Sequence, residues 1–197
     1  MLKRFTKNEL TVVTLIFVVI IFASYINLKA SIVRARDAQR RADLKAVANA
    51  LEKYNSEFGF FPPSSDDGKI LACRGPNFEA VIEEIKEEFD LNKYFQGLRE
   101  CSWGQDKFGD LSGLETIYLE KLPNDPNSNQ GSTFLYLSNT KRYQIYGHLE
   151  GGKNEEGYDE EIIKRGLSCG NQVCNYGLAF GSTPLNISID EYENQLN

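Results

Sequence analysis

A chain of 197 residues and 22.3 kDa, 41% hydrophobic and 25% charged, is long enough for one compact domain and too short for two ordinary ones, which excludes a large multidomain enzyme. The net charge of −6 averages two unlike parts: residues 1–45 carry nine Lys and Arg against three acids, and the remainder carries thirteen against twenty-five. The acidic remainder would repel phosphate backbones, so no nucleic acid is expected on the main body; with one histidine, no Walker loop and no Gly-x-Ser-x-Gly motif, no catalytic role is expected either.

Residues 1–9 form a short basic leader with Lys3, Arg4 and Lys7. Nineteen residues without a charge follow, Leu10 to Leu28, about what a helix needs to cross a bilayer core of roughly 30 Å. Leu15 to Ile21 are large and apolar without interruption and leave no polar face for a soluble core helix, so 10–28 reads as a membrane segment or an uncleaved export signal. Orientation reads two ways. Lys29, Arg34, Arg36, Arg40 and Arg41 beyond the span outnumber the cations before it, which by positive-inside counting keeps the C-terminus in the cytoplasm.

The cysteines argue the other way. Cys73, Cys101, Cys169 and Cys174 are an even set behind an export-type segment, which suits a disulfide framework in an oxidising compartment. Cys169 and Cys174 enclose only Gly170 to Val173, so they are paired with each other and Cys73 with Cys101. A four-thiolate zinc site and reduced buried thiols are the competing readings.

No Pro or Gly interrupts Leu10 to Phe58, and the residues after the apolar run are rich in Ala, Arg, Lys, Leu and Glu. One helix is therefore expected to run from the span into an amphipathic spine over 29–59. Leu44, Val47, Ala48, Leu51, Tyr54 and Phe58 make its apolar stripe, Gly59 stops it, and Pro62-Pro63 prevent its resumption. An insertion over 60–121 contains a turn at Asp66-Asp67-Gly68 and a helix from Phe78 to Phe89, capped by Asn77, with Val81, Ile82, Ile85 and Phe89 on one face. In 122–197, Thr133 to Leu137 and Arg142 to Leu149 alternate as strands joined by a hairpin at Ser138-Asn139-Thr140-Lys141, and a further strand lies near Tyr176 to Phe180, before a C-terminal tail. The fold class expected is α+β: a long N-terminal helix packed on one face of a small antiparallel sheet.

Arg34-Ala35-Arg36-Asp37-Ala38-Gln39-Arg40-Arg41-Ala42-Asp43-Leu44, continuing to Ala50-Leu51-Glu52-Lys53-Tyr54 and Phe58-Gly59-Phe60-Phe61-Pro62, resembles the spine of type IV pilin-like proteins, the prepilins and type II secretion pseudopilins. Leu122-Pro123-Asn124-Asp125-Pro126, Tyr143-Gln144-Ile145-Tyr146 and Cys174-Asn175-Tyr176-Gly177-Leu178-Ala179 are similar to later parts of the same family. The leader Arg4-Phe5-Thr6-Lys7-Asn8-Glu9 keeps the family's Phe, Thr and Glu spacing, with Arg4 where those leaders carry Gly. The resemblance implies a noncatalytic structural subunit of a pilus-like or pseudopilus filament. It implies cleavage by a prepilin peptidase after Arg4, N-methylation of Phe5, and neutralisation by Glu9 of a neighbour's N-terminal ammonium in an apolar bundle. It further implies homo- or hetero-oligomeric partners through the N-terminal helix, and a single pass of the inner or cytoplasmic membrane with the N-terminus inside and the domain outside. Assembly would place the chain in a cell-surface filament. The other reading is an uncleaved, membrane-anchored extracytoplasmic binding or adhesion module that does not polymerise and that recognises its ligand with residues 64–121; Arg4 favours it.

Related pseudopilins bind calcium in a late loop, and Glu155, Glu156 and Asp159, behind Gly151-Gly152, are the candidates for such a site here; the competing reading is a solvated acidic loop. Asp125, Asn127 and Asn129 copy the start of a calcium loop, but Gln130 and Tyr136 occupy the positions that need Gly and Glu, so an EF-hand is rejected. His148 has no Cys or second His near it and reads as a surface or cross-strand residue.

Overall fold

The computed structural model describes residues 7–88, 90–109 and 116–196. Helix α1 runs without a break over Lys7–Phe58, 52 residues and about 78 Å at 1.5 Å per residue. Every residue from Lys7 to Ile32 is exposed, and burial sets in only where the sequence turns amphipathic. Leu44, Val47 and Leu51 are then completely buried, with Tyr54 nearly so. Each such aliphatic side chain contributes about 1.5–3 kcal/mol of burial, which is what fastens the spine to the domain. Gly59 ends the helix in the left-handed region at φ +78°, with its N–H donating to Asn55 O at 2.8 Å.

The spine lies on a three-stranded antiparallel sheet of β5 (Leu135–Ser138), β6 (Tyr143–Gly147) and β9 (Tyr176–Ala179), in the order β5-β6-β9. Register pairs Tyr136 with Ile145 across the first junction and Ile145 with Leu178 across the second. The hairpin loop is Asn139 to Arg142, one residue later than the alternation suggested, because Asn139 Oδ1 accepts from the Lys141 and Arg142 N–H groups and so forms the turn itself. All five residues of β6 are buried, so both faces of the sheet are covered. Tyr143 and Ile145 join the spine core; Tyr146 points to a second cluster with Ile162, Cys169 and Cys174. That second layer comprises α4 (Glu160–Lys164), the β7–β8 turn (Ser168–Cys169, Gln172–Val173) and, further on, α5 (Ile189–Leu196), none of which the sequence pattern revealed.

Residues 60–121 build β1 (Leu71–Arg74), α2 (Phe78–Glu84), α3 (Leu91–Gln96), β2 (Leu98–Glu100), β3 (Phe108–Gly109) and β4 (Ile117–Leu119). The helix expected to Phe89 stops at Glu84; Asn77 makes no side-chain cap, whereas Asp90 accepts from Asn92 and Lys93 N–H and starts α3. Phe89 lies outside the described residues. The segment keeps a small core of Phe78, Ile85 and Tyr94, yet its Ile70, Ala72, Trp103 and Phe108 belong to the main core. Tyr54 stacks on Phe108 at 5.5 Å, Phe61 meets Tyr143 at 4.9 Å, and Trp103 meets Phe134 at 5.6 Å. The architecture is α+β, with the long helix on one face of an antiparallel sheet, as the sequence pattern predicts.

Candidate functional site

Two regions of α1 carry the functional candidates. The first is its exposed apolar half. An 18-residue window reaches a mean hydropathy of 2.4 with none of it buried, so this is one helix long and apolar enough to cross a membrane. The hydroxyls of Thr11 and Thr14 donate to Lys7 O and Leu10 O at 2.9 Å, which satisfies them inside the helix and adapts both side chains to an apolar medium. Glu9 lies in the first turn and is exposed. Arg4 and Phe5, the expected processing residues, lie outside the described residues.

The second region is an ionic junction between spine and domain. Asp37, Arg40 and Leu44 share the face turned to the sheet, and both charged residues are completely buried there. Arg40 donates in bidentate fashion to Asp125, through Nε at 2.8 Å and Nη2 at 3.0 Å, and its Nη1 reaches Asp37 Oδ1 and Glu150 Oε1 at 2.7 Å each. Asp37 in turn accepts from the backbone N–H of Glu150 at 2.9 Å and of Gly151 at 2.8 Å. Arg36 Nε donates to Glu150 Oε1 at 2.8 Å, and the Asn127 amide donates to the same oxygen at 2.9 Å. At the next residue of the helix, Arg41 pairs with Glu155 at 3.2 Å. Two cations face three anions, and the surplus negative charge is met by amide donors.

Burial works against the Arg40 charge, but the hydrogen bonds to Asp125 and Glu150 outweigh it and raise the guanidinium pKa. The Arg36 hydrogen bond lowers the Glu150 pKa, opposed by burial and assisted by Arg40. Both shifts hold Arg40 and Glu150 in their charged forms. The junction sets the angle at which the domain leaves the helix, because two carboxylates from two loops, Asp125 and Glu150, must meet one guanidinium plane beside Asp37 of the helix itself. Sequence reasoning missed it. The available signal was Asp37 and Arg40 sitting on the apolar stripe of the spine, where a charge needs a buried partner.

The other candidates fall as follows. Cys73 is bonded to Cys101 and Cys169 to Cys174, as the spacing predicts. Gly170, at φ +73°, sits where a side chain would run into Gly131 O, so the small loop closes only with glycine there. Asp125 and Asn127, set aside as calcium ligands, serve Arg40 and Glu150 instead. Glu155 is held by Arg41, Asp159 caps α4 through the Glu161 N–H, and Glu156 lines a groove beside Tyr176. Among the described residues no group of three or more His, Cys, Asp or Glu side chains is placed to hold a metal ion. His148 lies just past β6, where its Nδ1 is 2.8 Å from Val173 O. Comparison with family models, curated proteins and solved structures finds no match for this chain.

Proposed function

We propose that this chain is a noncatalytic, membrane-anchored structural subunit of a type IV pilus-like or type II secretion pseudopilus filament. The observation that supports it most directly is the continuity of α1, whose exposed apolar half and buried spine half are one rod of 52 residues. An anchor alone needs no such rigidity, since a flexible linker would do; a rod that fixes the domain to the span suits a subunit moved as one body from the bilayer into a helical bundle. The family in this proposal rests on the resemblance of the spine, Arg34 to Pro62, and Glu9 would be the charge at the bundle's membrane end.

The domain is placed outside and the N-terminus inside. Two disulfides favour an oxidising compartment. The count of cations beyond the span favours the reverse orientation, and the disulfides are given the greater weight.

The test is intact mass and N-terminal peptide mapping of material sheared from the cell surface, compared with membranes. A methylated chain starting at Phe5 in the sheared fraction is expected, and replacing Glu9 with Ala should deplete that fraction while both disulfides still form. A chain confined to membranes and still starting at Met1 would reject the filament reading and favour the anchored binding module.

A further inference from the structure

Between the β5–β6 hairpin, the residue that follows α4 and the start of α5 lies a cavity of about 220 Å³, smaller than the roughly 300–1,000 Å³ of pockets for drug-sized ligands. Two of its residues, Ser188 and Asp190, are exposed and form its rim. Gln144 lies on its inner side, completely buried, with both amide hydrogens committed to Pro184 O at 2.5 Å and Ile187 O at 2.8 Å. Two wall residues carry charges that the fold leaves unmet. Arg36, Arg40, Arg41, Arg74, Arg99 and Arg142 each pair with an acid; among the described arginines from Arg36 onward, Arg165 alone does not. Arg165 is half-buried, and Nη1 makes all of its side-chain hydrogen bonds, to Gln144 Oε1 at 3.2 Å, Leu185 O at 2.8 Å and the Tyr146 hydroxyl. Its Nε–Nη2 edge donates to no described residue, whereas Arg40 holds Asp125 by that same edge. Asp190, in the first turn of α5, pairs with no cation among the described residues, Arg165 included. The other polar walls offer donors. Asn139 Oδ1 is taken by the Lys141 and Arg142 N–H groups, which leaves its amide hydrogens, and Ser188 Oγ accepts from the Glu191 N–H, which leaves its hydroxyl hydrogen.

A carboxylate fits the Nε–Nη2 fork of a guanidinium in plane and in spacing, and a half-buried charge gains more from such a partner than one in open water. An anion alone would be repelled by Asp190, and a cation alone by Arg165. A molecule carrying both charges is attracted by both residues. We propose that this cavity binds a small zwitterionic amino acid, with its α-carboxylate on Arg165 and its α-ammonium toward Asp190. Asn139 and Ser188 supply further donors to the carboxylate, and the volume restricts the ligand to one with a small side chain. The site belongs to the folded domain and does not depend on the filament reading.

The experiment is a ligand-observed NMR titration of the full chain in detergent micelles with alanine, acetate, ethylamine and inorganic phosphate. Alanine is expected to saturate at about millimolar concentration, and acetate and ethylamine to bind about tenfold more weakly. Asp190→Asn should weaken alanine about threefold and leave acetate no weaker, since it removes one partly solvated ion pair. Arg165→Gln should remove the binding of alanine and acetate alike. Arg165 also holds Leu185 O, so the exposed Asp190 keeps the test decisive if Arg165→Gln fails to fold. No saturation by alanine overturns the proposal. Alanine binding that Asp190→Asn leaves unchanged, or phosphate bound as tightly as alanine, also overturns it, because the cavity would then be a site for any small anion.

Discussion

Arg40 is the residue on which the spine and the domain agree. Its guanidinium is completely buried and meets three carboxylates from different parts of the chain, Asp37, Asp125 and Glu150. A buried network of this kind adds little net stability over a well-packed apolar one, but removing one member strands the others. Arg40→Ala should therefore cost about 3–5 kcal/mol, read as a lower urea midpoint of the domain, and Arg40→Lys should recover only part because one ammonium cannot match two carboxylate forks. Acid should act on Glu150 of this junction and on Asp106, which pairs with Arg99 at 2.8 Å in the 60–121 segment. The Glu150 pKa is lowered by Arg36, and that of Asp106 is lowered to about 2 by its hydrogen bonds with Arg99. Groups depressed on folding contribute fully above their unfolded values near ~4 and lose that contribution as pH falls through the folded values. Urea midpoints should accordingly be level above about pH 5 and decline from about pH 4 downward, and Arg99→Gln should remove the Asp106 share of that decline.

At the scale of elements, the two disulfides do unequal work. The Cys73–Cys101 bridge has a sequence separation of 28 and joins β1 to the end of β2, whereas Cys169–Cys174 has a separation of 5 and closes a single turn. In the chain-entropy account the first should be worth about 3–4 kcal/mol and the second about 2. Replacing each pair by serines and measuring unfolding midpoints should reproduce that order; equal losses would show that the small loop supports more of the layer under Tyr146 than its length implies. The elements legible in the sequence were those with a long period to read: α1, with its change from unbroken apolar to stripe, and β5, β6 and β9, with their alternation. The short helices α3, α4 and α5 and the two-residue strands escaped because such segments hold too few repeats of either period to stand out from their surroundings. Asn77 looked like a cap, yet Asp90 did the capping, since the chain turned where Ile85 and Tyr94 could share Phe78.

At the scale of the whole molecule, one rod carries an apolar, fully exposed half and a buried half. A charge placed in the exposed half tests its medium. Val18→Arg should cost about 2.5–3.5 kcal/mol of insertion at mid-span and move the chain from the integral to the carbonate-extractable membrane fraction, while leaving both disulfides formed. If the Val18→Arg chain stays integral, this face is covered by protein or water rather than lipid. Because α1 is unbroken, any displacement of the apolar half is transmitted to the domain through the whole buried half of the spine, the Arg40 junction and the Leu44, Val47 and Leu51 contacts together.

The amino-acid sequence by itself determined a helix long and apolar enough to cross a membrane, the spine, its stop at Gly59, the α+β class and both cysteine pairings. Most depend on local order, an uncharged run, a 3.6-residue stripe, a left-handed glycine, a loop of four residues between two thiols; the Cys73–Cys101 pair follows from the two cysteines that remain. Only the tertiary structure decided what the charges on the spine are for. Asp125 and Glu150 lie far along the chain from Arg40, at separations of 85 and 110, and nothing in their neighbourhoods marks them as its partners. They meet it because the sheet must bury Tyr143 and Ile145 against Leu44 and Leu51, and that packing carries the two flanking loops onto the same turn of the helix.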